Sequence, residues 1–79
     1  MTDTKILNAR IEELGIKKKK LAAELGITQS SLWQKMNNVR EFKASEINAL
    51  CSLLSISSLQ DKEKIFFARN SEINSRLAN

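Results

Sequence analysis

The sequence predicts a compact all-α fold of five helices, and three observations carry that prediction. Among 79 residues there is no proline and there are only two glycines, so little interrupts helical backbone. Apolar residues recur at spacings of three and four, the period that gives a helix one apolar face. Gly15 and Gly26 stand where two of these runs end, and glycine readily takes the left-handed conformation that closes a helix. An apolar content of 42 % suffices for one small core. Residues 1–69 are therefore expected to form a single domain, with residues 70–79 either a polar tail or an extension of the last helix.

The first helix runs from Asp3 to Leu14, with Leu7, Ile11 and Leu14 on one face and Ile6 beside them. A short second helix from Lys18 to Leu25 turns Leu21, Ala22 and Leu25 inward and ends at Gly26. Thr28 is placed to cap a third, whose core residues are Leu32 and Met36 and which ends near Asn37 and Asn38, since a threonine hydroxyl can accept a backbone N–H of the first turn. After a loop from Asn38 to Lys43, Ile47, Leu50, Cys51 and Leu54 define the fourth, with Ile56 as an anchor beyond its end. The fifth spans Ser58 to Ala68 and offers Leu59, Ile65, Phe66 and Phe67 to close the core.

Charge is unevenly divided. Residues 1–43 hold nine Lys and Arg against five Asp and Glu, whereas residues 44–79 hold four of each. The whole excess of +4 thus lies in the half that carries the two short helices, and a basic patch there can serve nucleic acid, an anionic membrane or an acidic protein, or simply keep the surface soluble. Other chemistries find little support. There is no histidine to act as a base, no glycine-rich phosphate loop, and no second cysteine to join Cys51 in a disulfide or metal site, so neither an enzyme nor a bound cofactor or metal is expected. With no apolar run long enough to span a bilayer and no cleavable leader, a cytoplasmic location is expected, without a membrane partner.

The segment Leu21-Ala22-Ala23-Glu24-Leu25-Gly26-Ile27-Thr28-Gln29-Ser30-Ser31-Leu32 has the pattern of two helices crossing at a tight turn. Ala22 permits close approach, Gly26 lets the chain reverse, and Ile27 and Leu32 bury the second helix against the first. With Lys35-Met36-Asn37-Asn38, Phe42, Glu46-Ile47 and Leu54-Ser55-Ile56 around it, the chain resembles the phage repressor and Cro-like branch of the lambda-repressor-like (Xre) helix-turn-helix superfamily, over roughly residues 4–68. Three departures are visible, at Lys35, Lys43 and Trp33. Lys35 occupies a position that is often apolar in that superfamily, and Lys43 stands where a capping Ser or Thr is more usual.

The resemblance implies a five-helix bundle whose second and third helices form the helix-turn-helix, acting as a transcriptional regulator on double-stranded DNA in a bacterial host cell or nucleoid. Lys17, Lys18 and Lys19 open the second helix, where backbone N–H groups and ammonium groups can receive a phosphate together. Gln29, Ser30, Ser31 and Gln34 lie at the start of the third helix, where Gln and Ser can bond base edges. Thr28, Lys35, Asn37 and Arg40 are expected to contact the backbone. Trp33 is harder to place, because it neighbours inward-facing Leu32. It can pack against the fourth helix or the 38–42 loop, touch thymine methyls or sugars, or anchor a protein partner. Leu59, Phe66 and Ile73 recur every seven residues and Leu77 follows, so a helix extended into the tail can supply a homodimer contact. An alternative keeps the fold but makes the chain an antirepressor or modulator that binds another regulatory protein.

Overall fold

The computed structural model describes residues 1–69, in five helices: α1 (Thr4–Leu14), α2 (Lys18–Leu25), α3 (Gln29–Met36), α4 (Ala44–Leu53) and α5 (Leu59–Phe66). No strand occurs among the described residues. α2 lies at the centre, packed against both α3 and α4, while α1 packs against α5. The core is one cluster drawn from every helix, with Leu7, Leu21, Leu32, Leu50 and Leu54 fully withdrawn from solvent. Ala22 is buried on α2, and its small side chain lets neighbouring helices approach closely.

Helix starts follow local chemistry. Asp3, Thr28 and Ser58 each accept a backbone N–H of the turn they precede, from Ile6 at 3.2 Å, Ser31 at 3.0 Å and Asp61 at 3.0 Å. These bonds satisfy donors that a helix cannot pair internally. At α4 the cap runs the other way. Lys43 has no capping oxygen, and Glu46 reaches back to accept its N–H at 2.8 Å, which resolves the unusual residue at that position.

Three helix ends share one device. Gly15, Gly26 and Ser55 adopt left-handed φ values of 67°, 71° and 56°, and the isoleucine after each donates its N–H back to the preceding turn. Ile16 bonds Ile11 O at 3.3 Å, Ile27 bonds Ala22 O at 3.0 Å and Ile56 bonds Cys51 O at 2.8 Å. All three isoleucines pack on the core, so each turn satisfies helix-end carbonyls and returns an apolar side chain to the interior. At α4 the guanidinium of Arg10 adds a further cap, its Nε donating to Leu54 O at 2.9 Å and a terminal nitrogen to Ser55 O at 3.4 Å.

The segment before α1 ties two helix ends together. The N–H of Asp3 bonds Ile65 O at 2.6 Å, the N–H of Ala68 bonds Met1 O at 2.9 Å, and the Met1 amine donates to Ala68 O at 3.2 Å. On the other side the Asn38 amide pairs with both backbone groups of Thr2, at 2.7 and 2.9 Å, and the Thr4 hydroxyl donates to Met36 O. Residues 1–4 thus strap the end of α3 to the end of α5.

Three apolar residues expected in the core are exposed, Leu59 and Phe67 for the most part and Leu14 in part. Leu14 is 39 % exposed, Leu59 68 % and Phe67 58 %. Leu14 and Leu59 are terminal helical residues, past the buried stretch of their helices. Phe67 is the C-cap beside buried Phe66, and neighbouring helical positions diverge by about 100°. Ile73 and Leu77 lie outside the described residues.

Two substitutions test the left-handed turns. Gly26→Ala is expected to destabilise the domain by about 1 kcal/mol, the cost of a Cβ at that φ, because no neighbouring atom otherwise obstructs it. Ser55→Gly is expected to stabilise by up to about 1 kcal/mol, since it removes the same penalty. Urea unfolding midpoints should move in opposite directions for the two variants.

Candidate nucleic-acid interface

The two-turn helix α3 divides its residues cleanly. Leu32, Lys35 and Met36 are buried, Ser31 and Gln34 are half-buried at the flanks, and Gln29, Ser30, Trp33 and Asn37 are exposed. The exposed set falls at i, i+1, i+4 and i+8, which is one stripe of an α-helix. Thr28 begins that stripe. Its hydroxyl oxygen accepts the Ser31 N–H, leaving the hydroxyl hydrogen available to an acceptor outside. The Asn37 amide folds back to donate to Trp33 O at 2.9 Å, with its second N–H still outward. The chain then turns so that the N–H groups of Val39 and Arg40 both reach Gln34 O, at 2.8 and 3.3 Å. This holds the exposed Arg40 next to the end of α3.

Beside the stripe lies the start of α2. Lys17 is its extended N-cap and supplies no side-chain hydrogen bond to it. Lys17, Lys18, Lys19 and Lys20 are all exposed, and among the described residues none of the four has an ion-pair partner. Cations at the positive end of a helix dipole are mildly unfavourable, so this arrangement is suited to an external anion. Lys18, Gln29, Trp33 and Asn37 line one open cleft of about 260 Å³ together with Asn8. Three separate expectations, a phosphate lysine, an amide at the start of α3 and an unassigned tryptophan, therefore meet at one place.

Asn8 is the member that sequence reading passed over. It lies on α1, outside the helix-turn-helix segment, and its only signal is a polar residue directly beside core residue Leu7. Trp33 corrects the expectation that it packs against α4 or the 38–42 loop. It is 60 % exposed and opens into the cleft, one turn along α3 from Gln29.

Lys35 is also corrected. Expected as a phosphate contact, it is only 3 % exposed, and its ammonium donates to both carboxylate oxygens of Glu46 at 2.7 Å. Its charge is neutralised inside the protein and turned away from the exposed stripe. Burial by itself raises the Glu46 pKa, but hydrogen bonds from Lys35 and from the Lys43 backbone, with the charge of both lysines, outweigh it and hold the carboxyl below its ordinary value of 4.5. Phe66 departs from expectation as well. It is 4 % exposed and packs edge-to-face on Phe42, with ring centroids 5.9 Å apart at 89°, so it presents no surface to a second molecule. Cys51 is buried, and desolvation raises its pKa despite the opposing charge of Lys62, which favours the neutral thiol of a core residue. Among the described residues, no three potential ligands gather as a metal site, and no helix is long and apolar enough to cross a membrane.

A family comparison agrees with the five-helix fold and its tight α2–α3 turn. The model of the Cro/C1-type HTH DNA-binding domain matches residues 6–61, and the chain belongs to that family. Its macromolecular partner is accordingly DNA. No curated protein and no solved structure matches the chain.

The buried ion pair gives a test with a definite sign. Because the folded-state pKa of Glu46 is lowered, its stabilisation is complete above the ordinary glutamate range and is lost as pH falls through the lowered value. Lys35→Met should cost about 3 kcal/mol or more at neutral pH by leaving a buried carboxylate without its cation. Lys35→Met combined with Glu46→Leu should recover most of that loss, short of about 1 kcal/mol for the missing α4 cap. Equal losses in the single and double variants, measured by urea unfolding, would contradict this account.

Proposed function

We propose that the chain is a sequence-specific transcriptional regulator of phage repressor or Cro type, which places α3 in the major groove of double-stranded DNA. The observation that carries this reading is the juxtaposition of an unneutralised lysine start on α2 with the exposed polar stripe of α3, within a domain of the Cro/C1 type. Gln29 and Ser30 read base edges, with Ser31 and Gln34 reaching them from the flanks. A glutamine amide can bond adenine through two atoms, and a serine hydroxyl can give or accept one bond. Lys18, with Lys17 or Lys19 beside it, holds one phosphate at the start of α2. Thr28, Asn37 and Arg40 hold others along and beyond α3. Residues 1–69 are the DNA-binding unit, acting in the bacterial cytoplasm or nucleoid.

Two copies on half-sites separated by one turn of the duplex, about 34–36 Å, are the arrangement that suits so small a reading surface. On the described part of the chain, the apolar groups free to meet a second copy near α5 are Leu59 and Phe67 rather than Phe66.

Titration of the full chain against its upstream intergenic DNA and against unrelated duplex, at several salt concentrations, tests this reading. A footprint with steep salt dependence supports it, and no binding at low salt overturns it. Lys18→Ala should weaken binding to every sequence alike and reduce the slope of log affinity against log salt by about 0.9. Gln29→Ala should instead cost about 1–3 kcal/mol at one base pair, measured with a panel of single-base operator variants. Uniform weakening across that panel would argue against direct reading by Gln29.

A further inference from the structure

Trp33 is the largest side chain on the exposed face of α3, and nothing in the fold requires it to be there. It is 60 % exposed, makes no ring contact with another aromatic among the described residues, and stands between Gln29 and Asn37 on the same helical stripe. Its indole faces outward because Leu32 and Met36 occupy the buried side of the helix, and it gains from any apolar group that covers it.

The surroundings indicate what that is. The cleft that Trp33 lines also takes in the amides of Asn8, Gln29 and Asn37, the ammonium of Lys18 and the apolar side chains of Leu32 and Met36. An aromatic anchor for a protein partner sits ordinarily in a well-packed apolar pocket whose rim excludes water. Here three amides and an ammonium, groups that bond polar edges and a polyanion, share an open cleft with Leu32 and Met36. The major groove matches that mixture, since it displays hydrogen-bonding base edges, phosphates at its walls and one apolar group, the C5-methyl of thymine.

We propose that Trp33 is a specificity-determining residue that packs its indole on a thymine C5-methyl, adding apolar reading to the amide contacts on either side. This rests on the placement of α3 in the major groove. Trp33 then selects thymine over cytosine and over any base lacking the methyl, at a position one helical turn along α3 from the base read by Gln29.

The test uses a duplex enriched from a random-sequence pool by the full chain, resynthesised with deoxyuridine in place of thymidine at one position at a time. That change removes only the methyl. Affinity, read from the anisotropy of a labelled duplex, should fall about fourfold at one thymine of a half-site, the fold-change for one buried methyl. Trp33→Ala should bind the parent duplex more weakly, show no further loss with deoxyuridine at that position, and keep the wild-type melting temperature because the side chain is mostly in water. Since Trp33 is the only tryptophan and there is no tyrosine, its fluorescence reports on it alone, and acrylamide quenching should drop when the duplex saturates the protein. Wild-type indifference to every deoxyuridine, or a methyl effect that persists in Trp33→Ala, overturns the proposal. So does a Trp33 that stays open to acrylamide in the saturated complex, the result expected if this face serves a protein. Binding without methyl dependence defeats this proposal alone, whereas no binding to any duplex at low salt defeats the major-groove reading with it.

Discussion

Eight residues are too few for α3 to hold its own shape in water, because a helix this short does not recover the cost of its first turn. Every anchor around it answers that constraint. Thr28 pairs a free donor at its start, the Gly26 turn fixes its angle to α2, and Leu32 and Met36 seat it in the core. Lys35 bolts it to Glu46 on α4, and bonds from Thr4 to Met36 and between Thr2 and Asn38 fasten its far end to the start of α1 and the segment before it. The exposed stripe is thereby presented on a support fixed from several directions. A binding surface loses less entropy on binding when it is already ordered.

Much of this was legible in the sequence because the signals were local. The two glycine turns, the Thr28 cap and the inward Leu32 and Met36 are set within a few residues of one another, and the structure places them as their spacing implies. Lys35 and Trp33 were not legible, and the reason is shared. Adjacent to the helix period are two residues whose types suggest the opposite of their positions, a lysine that goes inside and a tryptophan that stays out. The lysine can do so only because Glu46, eleven residues on, is brought beside it by the packing of α3 and α4. No local pattern names that partner. The tryptophan stays out because Leu32 and Met36 already occupy the buried face. Asn8 was missed for a related reason, since its place by the α2–α3 cleft depends on how α1 lies across the bundle.

The lysines of this chain consequently do two unlike jobs with the same side chain. Lys35 is inside, neutralised and held at short distance to a carboxylate; its charge contributes nothing to the outer field. Lys17 to Lys20 are outside, without an ion-pair partner among the described residues, at the end of a helix whose dipole opposes them. A count of basic residues treats them alike, whereas burial separates a structural cation from those whose field reaches an approaching polyanion.

The strap formed by residues 1–4 has a consequence for how the domain is assembled in time. Its partners are Met36 and Asn38 on one side and Ile65 and Ala68 on the other, so residues near the beginning of this sequence cannot complete their hydrogen bonds until residues near 68 have left the ribosome. A nascent chain that has released only α1 to α4 can already pair Thr2 with Asn38 and Thr4 with Met36, but it lacks Ala68 and Ile65, the partners of Met1 and Asp3. The two sides of the strap therefore close in order, the α3 side first and the α5 side only once Ile65 and Ala68 are available.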